Sequence, residues 1–148
     1  MRYRLADKIF TWAPWRHLRG IKAASFEEYS LREALGYEPA LPESLAIGAM
    51  LEMGNWLTIL SSDFAQMAWT IEIEECRFER VPGPGESLLI DVEMLERTSE
   101  HAVFSGRATI ESQEALWINS WRAQLLPLDA HYDSSDLRVL YSQITEAP

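Results

Sequence analysis

Ser44–Ser62 reads "SLAIGAMLEMGNWLTILSS", and its apolar residues fall on nearly every face of a helix. Leu45, Ile47, Met50, Leu51, Met53, Trp56, Leu57, Ile59 and Leu60 leave no continuous polar stripe. A helix that is apolar all round is one that is buried all round. Ser44 reads as its N-cap, and the usual helical rise makes it about 25 Å long. Gly48 and Gly54 each cost a helix about 1 kcal/mol relative to alanine. They therefore predict close approach by another backbone or by a ligand. One carboxylate, Glu52, sits within the run. Directly before it, "YEPALPE" (Tyr37–Glu43) places Pro39 and Pro42 three residues apart, which stiffens a loop.

The segments around this helix read as strands. In "AWTIEIEECRFERV", Trp69, Ile71 and Ile73 alternate with Thr70, Glu72 and Glu74. "PGPGE" is a turn. In "SLLIDVEMLERTS", Leu88, Ile90, Val92 and Met94 alternate with Leu89, Asp91 and Glu93. "HAVFSGRATIES" and "EALWINSWRAQLLPL" complete an antiparallel meander with short turns. "RLADKIFTW" and "HLRGIKAASF" form a short hairpin around "APW". "SFEEYSLREAL" is a short helical segment, with Ser25 and Glu28 spaced for a capping box. "DSSDLRVLYSQI" is a short capped helix. A strongly curved sheet can wrap an all-apolar helix, yet one sheet covers only part of it, which calls for a second copy. The pattern therefore predicts an α+β hot-dog fold: a long central helix wrapped by a curved antiparallel sheet, dimeric. A generic α+β sandwich is the alternative. Residues 1–128 form the hot-dog domain and 129–148 a C-terminal extension with a short helix.

The totals bound the function. The apolar share of 47% in 148 residues is enough for one domain with a real core. A lone cysteine, Cys76, rules out an internal disulfide and suits a reducing compartment. The N-terminus lacks the apolar run of a signal peptide, and no apolar window reaches membrane-spanning length. A cytoplasmic protein without a membrane span is the expectation. The net charge of -10 argues against nucleic acid as a partner. Arg2, Arg4, Lys8, Arg16, Arg19, Lys22 and Arg32 concentrate positive charge before residue 37. They read as a solvated basic face or as a docking patch for an acidic partner.

Several stretches together resemble the 3-hydroxyacyl-(acyl carrier protein) dehydratases of fatty-acid synthesis, the FabA/FabZ-like hot-dog thioester dehydratases. They are "RLADKIFTW", "GIKAAS", "PALPESLAIGAML", "CRFERVPGPGESL" and "GRATI", in the family's order across residues 4–126. The resemblance implies a long helix inside a curved sheet, at least a dimer, and two sites at the dimer interface. It implies an acyl chain delivered on a phosphopantetheine arm into a tunnel beside the helix. A loop histidine would take a proton next to the thioester carbonyl, and a helix acid would help the hydroxyl leave. By the same resemblance, Pro39, Leu41 and Pro42 of the loop would line the acyl site. Leu45 and Gly48 of the helix and Phe78, Pro84 and Gly85 around the turn would complete it. Arg77 and Arg80 would dock an acidic carrier protein.

The departures from that family decide the reading. Carried across without a gap, the histidine position is Ala34 and the acid position is Gly48. Neither side chain can move a proton. Glu52, one helical turn beyond Gly48, is the substitute candidate, either as a thioesterase carboxylate or as a hydrogen-bonding residue. Tyr37 and Glu38 are weaker substitutes from the loop. His17, His101 and His131 fall outside the expected site, and Cys76 reads as a small buried thiol. Three readings stand. The first is a dehydratase-like protein that acts on or binds acyl thioesters in fatty-acid or polyketide-type synthesis. The second is a non-catalytic acyl-binding or scaffold subunit, and the third an acyl thioesterase using Glu52. The expected partners are an acyl carrier protein or coenzyme A thioester, and a second chain that is either a copy or a dehydratase homologue. No metal and no cofactor is called for.

Overall fold

The chain is described by a computed structural model over residues 5–145, so Arg2 and Arg4 of the basic group lie outside the described residues. A hairpin of strands β1 (Lys8–Ala13) and β2 (His17–Ala23) leads to helix α1 (Phe26–Ala34), then to helix α2 (Glu43–Ser61). Strands β3 (Gln66–Phe78), β4 (Ser87–Arg97), β5 (His101–Ile110) and β6 (Gln113–Pro127) follow. A 3-10 turn at Leu128–Ala130 and helix α3 (Ser134–Thr145) end the described chain. The strands form one six-stranded sheet in the order β1-β2-β4-β5-β6-β3, antiparallel throughout. This is the expected hot-dog arrangement of a curved sheet around a long helix.

Burial explains why the sheet curves. Met50, Met53 and Leu57 of α2 pack among Ile90, Phe104, Leu116 and Trp121 with essentially no exposure. Two glycines allow that approach. A Cβ on Gly54 would stand 2.9 Å from Trp121 Cζ2, and one on Gly106 would meet Met50. Gly54 thus admits a side chain, where the sequence reading expected a backbone or a ligand. The indole of Trp121 in turn stacks on Phe104, with centroids 5.3 Å apart. At the far end of α2, Tyr141 of α3 meets Trp56 and Phe64 at 6.0 and 6.2 Å. It also accepts a 3.3 Å hydrogen bond from Trp12 Nε1.

Three local expectations change. The helix starts at Glu43 with Pro42 at the N-cap and no side-chain cap, so Ser44 is already inside it. Proline replaces a capping side chain because its fixed φ leads the chain into the helix from the loop. Next, α2 is not buried all round: Leu45, Ile47, Gly48, Leu51, Glu52 and Asn55 are only half-buried. Finally, Trp69, Ile71 and Ile73 do not form one inward face. Thr70 lies opposite Ala123 and Glu72 opposite Arg122, so Ile71 is the extra residue of a bulge. The shift sets Trp69 opposite Gln124 and Ile73 opposite the buried Trp121. All three stay exposed, at 57%, 48% and 42%, on the edge strand β3.

Truncating the central indole should be costly. Trp121→Ala is expected to lower the unfolding free energy by about 4 kcal/mol, read by denaturant titration. Gly54→Ala should destabilise, where an uncrowded helix position would gain about 1 kcal/mol.

Candidate functional site

The loop before α2 is fixed from two sides. Leu41 is fully buried, and its N–H donates to Pro82 O at 2.8 Å, which ties the loop to the proline-glycine turn. That turn is clamped by Glu86, whose carboxylate accepts from Gly83 N at 3.0 Å and from both terminal nitrogens of Arg80 at 2.9 and 2.7 Å. Between loop and turn lies a cleft of ≈ 440 Å³, walled by Pro39, Ala40, Phe78 and Val81 and rimmed by charged side chains. The structure therefore brings Pro39, Phe78 and Arg80 together around the cleft, while Leu41 of the same loop is buried in the core. Pro84 and Gly85 form the exposed tip of the turn, where Gly85 takes a left-handed φ of 81°.

The other end of the loop is anchored through α1. Ser25 and Glu28 close the expected capping box. Glu28 also accepts from Lys22 Nζ at 2.9 Å, and both side chains are buried. Asp7 Oδ2 stands 3.9 Å from the same amine and accepts from Ala23 N at 2.6 Å. Lys22 was grouped by sequence with the basic face, and the structure instead buries it as a joint. Its signal was parity, since it shares the inward alternation of Leu18 and Gly20 in β2. Burial alone would push the Glu28 carboxyl up. The hydrogen bonds from Lys22 and Ser25 outweigh that and hold it below the usual carboxylate range.

Ala34 ends α1 and is exposed. Tyr37 is exposed, with the Arg32 guanidinium 5.7 Å from its ring centroid. Glu38 is exposed on the rim of the cleft. Gly48, Glu52 and Asn55 recur at helical spacing and share the half-buried face of α2. Each is matched to a neighbouring segment. Leu5 lies over Gly48. The Glu52 carboxylate accepts from Leu5 N at 3.0 Å and, through a shorter contact, from Ala6 N. Asn55 Oδ1 accepts from Ala68 N at 2.8 Å and ties α2 to β3. Sequence reasoning passed over Leu5 and Asn55, because neither belongs to a chemical motif.

The remaining candidates have local roles. Arg77 pairs with Glu75 at 2.7 Å and lies 5.9 Å from the Trp117 ring centroid. Glu86, beside the Arg80 guanidinium and the Gly83 amide, is held down at about 2. Cys76 is half-buried, and burial pushes its thiol up, away from the reactive thiolate. His17 and His101 open strands β2 and β5, and His131 follows the 3-10 turn. Among the described residues, no group of His, Cys, Asp and Glu is arranged to hold a metal ion. No helix among them is long and apolar enough to cross a membrane.

This geometry defines a hot-dog protein whose loop and helix meet beside a cleft. Solved structures agree on the fold. A Streptococcus mutans protein bound to acetyl CoA superposes with a TM-score of 0.67 at 12% identity, covering 86% of this chain and 94% of its own. The fluoroacetyl-CoA thioesterase FlK gives 0.66 at 9% identity, covering 87% and 97%. No family model matches the chain. Curated relatives are 3-hydroxyacyl-[acyl-carrier-protein] dehydratases FabZ. One from Blochmanniella pennsylvanica is 26% identical over 116 residues, 76% of this chain and 77% of that protein. One from Shewanella baltica is 27% identical over 116 residues, 75% of each. The relatives support a likeness to FabA/FabZ-like dehydratases, and the solved structures support the hot-dog fold.

Among the described residues, Glu28 and Glu86 are two carboxylates that contribute to the acid limb of stability. Each favours its ionised form in the folded state. Its contribution is complete above the unfolded carboxylate pKa of about 4.3 and drains as pH falls toward the folded value. For Glu86 that window reaches down to about 2. Unfolding measured across this range should flatten in Glu86→Gln and in Glu28→Gln. At neutral pH, Glu28→Gln should also cost about 3 kcal/mol, because Lys22 stays buried with only the more distant Asp7 carboxylate beside it.

Proposed function

We propose that this chain is a hot-dog subunit that binds acyl thioesters of fatty-acid or polyketide-type synthesis in the cytoplasm, and that it does not itself run acid–base dehydration. The observation that carries this reading is the face of α2. Where the family resemblance expects a base and an acid, the chain has Ala34 and Gly48, and the nearest carboxylate is engaged by Leu5 and Ala6. The FabZ relatives support the thioester class, and the acetyl CoA bound by the S. mutans protein supports a coenzyme A handle as well as a carrier protein. Arg77 and Arg80 are assigned to the handle. Pro39, Leu41, Pro42, Leu45, Gly48 and Phe78 are assigned to the acyl chain, with Pro84 and Gly85 shaping the entrance.

The edge strand β3 supports assembly with a second hot-dog chain, either a copy or an intact dehydratase homologue. It presents Trp69, Ile71 and Ile73 beside unpaired strand edge. A thioesterase role would require Glu52 to leave the Leu5 and Ala6 amides, so structural hydrogen bonding is the favoured role for that carboxylate.

The test is a calorimetric titration with octanoyl- and 3-hydroxyoctanoyl-pantetheine, followed by chromatography for enoyl and free-acid products. Binding without dehydration is expected. Dehydration above background, or no binding of either thioester, would reject the reading. Any hydrolysis should be as fast in Glu52→Ala as in the parent, and its loss in that variant would reinstate the thioesterase.

A further inference from the structure

Ser105 lies low on the outer face of the sheet, between two β-bulges. Strand β5 turns Phe104 and Gly106 toward the core and Ser105 and Arg107 away from it. On one side Glu93 faces Ser105 across the ladder, and Leu95 is the extra residue that β4 inserts between the Met94–Phe104 and Glu96–Val103 pairs. On the other side, Asn119 and Ser120 of β6 stand against Ser105 alone, between the Phe104–Trp121 and Gly106–Ile118 pairs. Bulges bend a strand and re-aim its side chains, and they recur beside active sites. With a small side chain as floor, the result is a groove of ≈ 540 Å³ walled by Glu93, Leu95, Arg107, Trp117 and Asn119. Small-molecule sites have volumes of this order. The groove shares no lining residue with the cleft between loop and turn.

We propose that this groove is a second binding site, for an uncharged, polyhydroxylated ring of monosaccharide size. The charges around it are largely paired. Arg19 holds Asp91 at 2.7 and 3.2 Å, and Arg107 pairs with Glu114 at 2.9 Å. The side chains of Glu93, Ser105 and Asn119 have no partner among the described residues. An ionised Glu93 only accepts, whereas Ser105 and Asn119 both donate and accept. Together they match adjacent ring hydroxyls, each of which is a donor and an acceptor. The half-buried indole of Trp117 and the exposed Leu95 supply apolar surface for the C–H face of such a ring. Charged ligands fit less well. A phosphate would meet the Glu93 carboxylate and would have to take Arg107 from Glu114. An ammonium would stand near Arg19, Arg107 and Arg77, the last 5.9 Å from the Trp117 ring centroid. A neutral ligand leaves both ion pairs intact.

The test titrates the full chain with methyl α-D-glucoside, methyl α-D-galactoside and methyl α-D-mannoside, by calorimetry and saturation-transfer NMR. Glucosamine and glucose 6-phosphate serve as charged comparators. At least one neutral glycoside should bind with a dissociation constant on the order of 1 mM, and both charged sugars should bind more weakly. Glu93→Ala and Asn119→Ala should each weaken binding about tenfold. Ser105→Leu, which fills the floor, should abolish it. Circular dichroism melting checks that the variants fold, and the exposed positions 93 and 119 decide the matter if Ser105→Leu does not. No binding of any neutral glycoside at about 50 mM overturns the proposal. So does tighter binding of a charged sugar than of all three glycosides, or binding unchanged in a folded Glu93→Ala, Asn119→Ala or Ser105→Leu.

Discussion

The contact of Trp121 with Gly54 sets how closely the sheet can wrap α2. The indole meets Gly54 at a spacing that leaves no room for a Cβ, and Phe104 stacks on it. Met50 reaches Gly106 across the same interface. Helix and sheet thus close against each other through side chains seated on bare backbone, which is how a fully buried interior reaches close packing. The inner face of α2 is consumed by the core, and Leu45, Gly48, Glu52 and Asn55 remain half-buried on the other face.

That second face is held by polar contacts. Glu52 fastens the strap that precedes β1, and Asn55 fastens the start of β3. The strap is also fastened from the sheet side through Asp7, which stands near the buried amine of Lys22. Lys22 in turn holds Glu28 at the start of α1. One short segment, Leu5–Asp7, therefore touches both the helix face that carries Gly48 and the joint that orients α1. Any side chain at position 48 would place its Cβ 2.7 Å from Leu5 Cδ1, so the bare glycine and the seating of the strap are structurally coupled.

Much of the fold was legible because its signals are periodic. The apolar run of α2, the alternation in β4 and the capping box at Ser25 each follow from local spacing. The bulge at Ile71 was not legible, since alternation in "TIEIEE" continues in the sequence while the pairing shifts by one residue. The two-residue turn at Glu111 and Ser112 was equally silent. Both residues take left-handed φ values, 50° and 69°, without the Asn-Gly pair that usually announces such a turn. At the site, the identities of Ala34 and Gly48 were readable from order along the chain. The hydrogen-bond partners of Glu52 were not, because they come from a segment more than forty residues away.

The rim of the cleft bears on what can approach it. Arg32 and Arg80 stand there among Glu38, Glu43, Glu79 and Glu86. Arg32 pairs with Glu43 at 3.1 Å, and Arg80 is gripped by Glu86. Arg77, nearby in sequence, pairs with Glu75. The cations assigned to a carrier or coenzyme A handle thus already face anions of their own chain. An acidic partner gains from them only by displacing those carboxylates, and the pairs are exposed enough for salt and water to weaken them. Long-range attraction from this rim is small, because its acids outnumber its bases. What the cleft offers an approaching ligand is then contact at short range, from the apolar wall of Pro39, Phe78 and Val81.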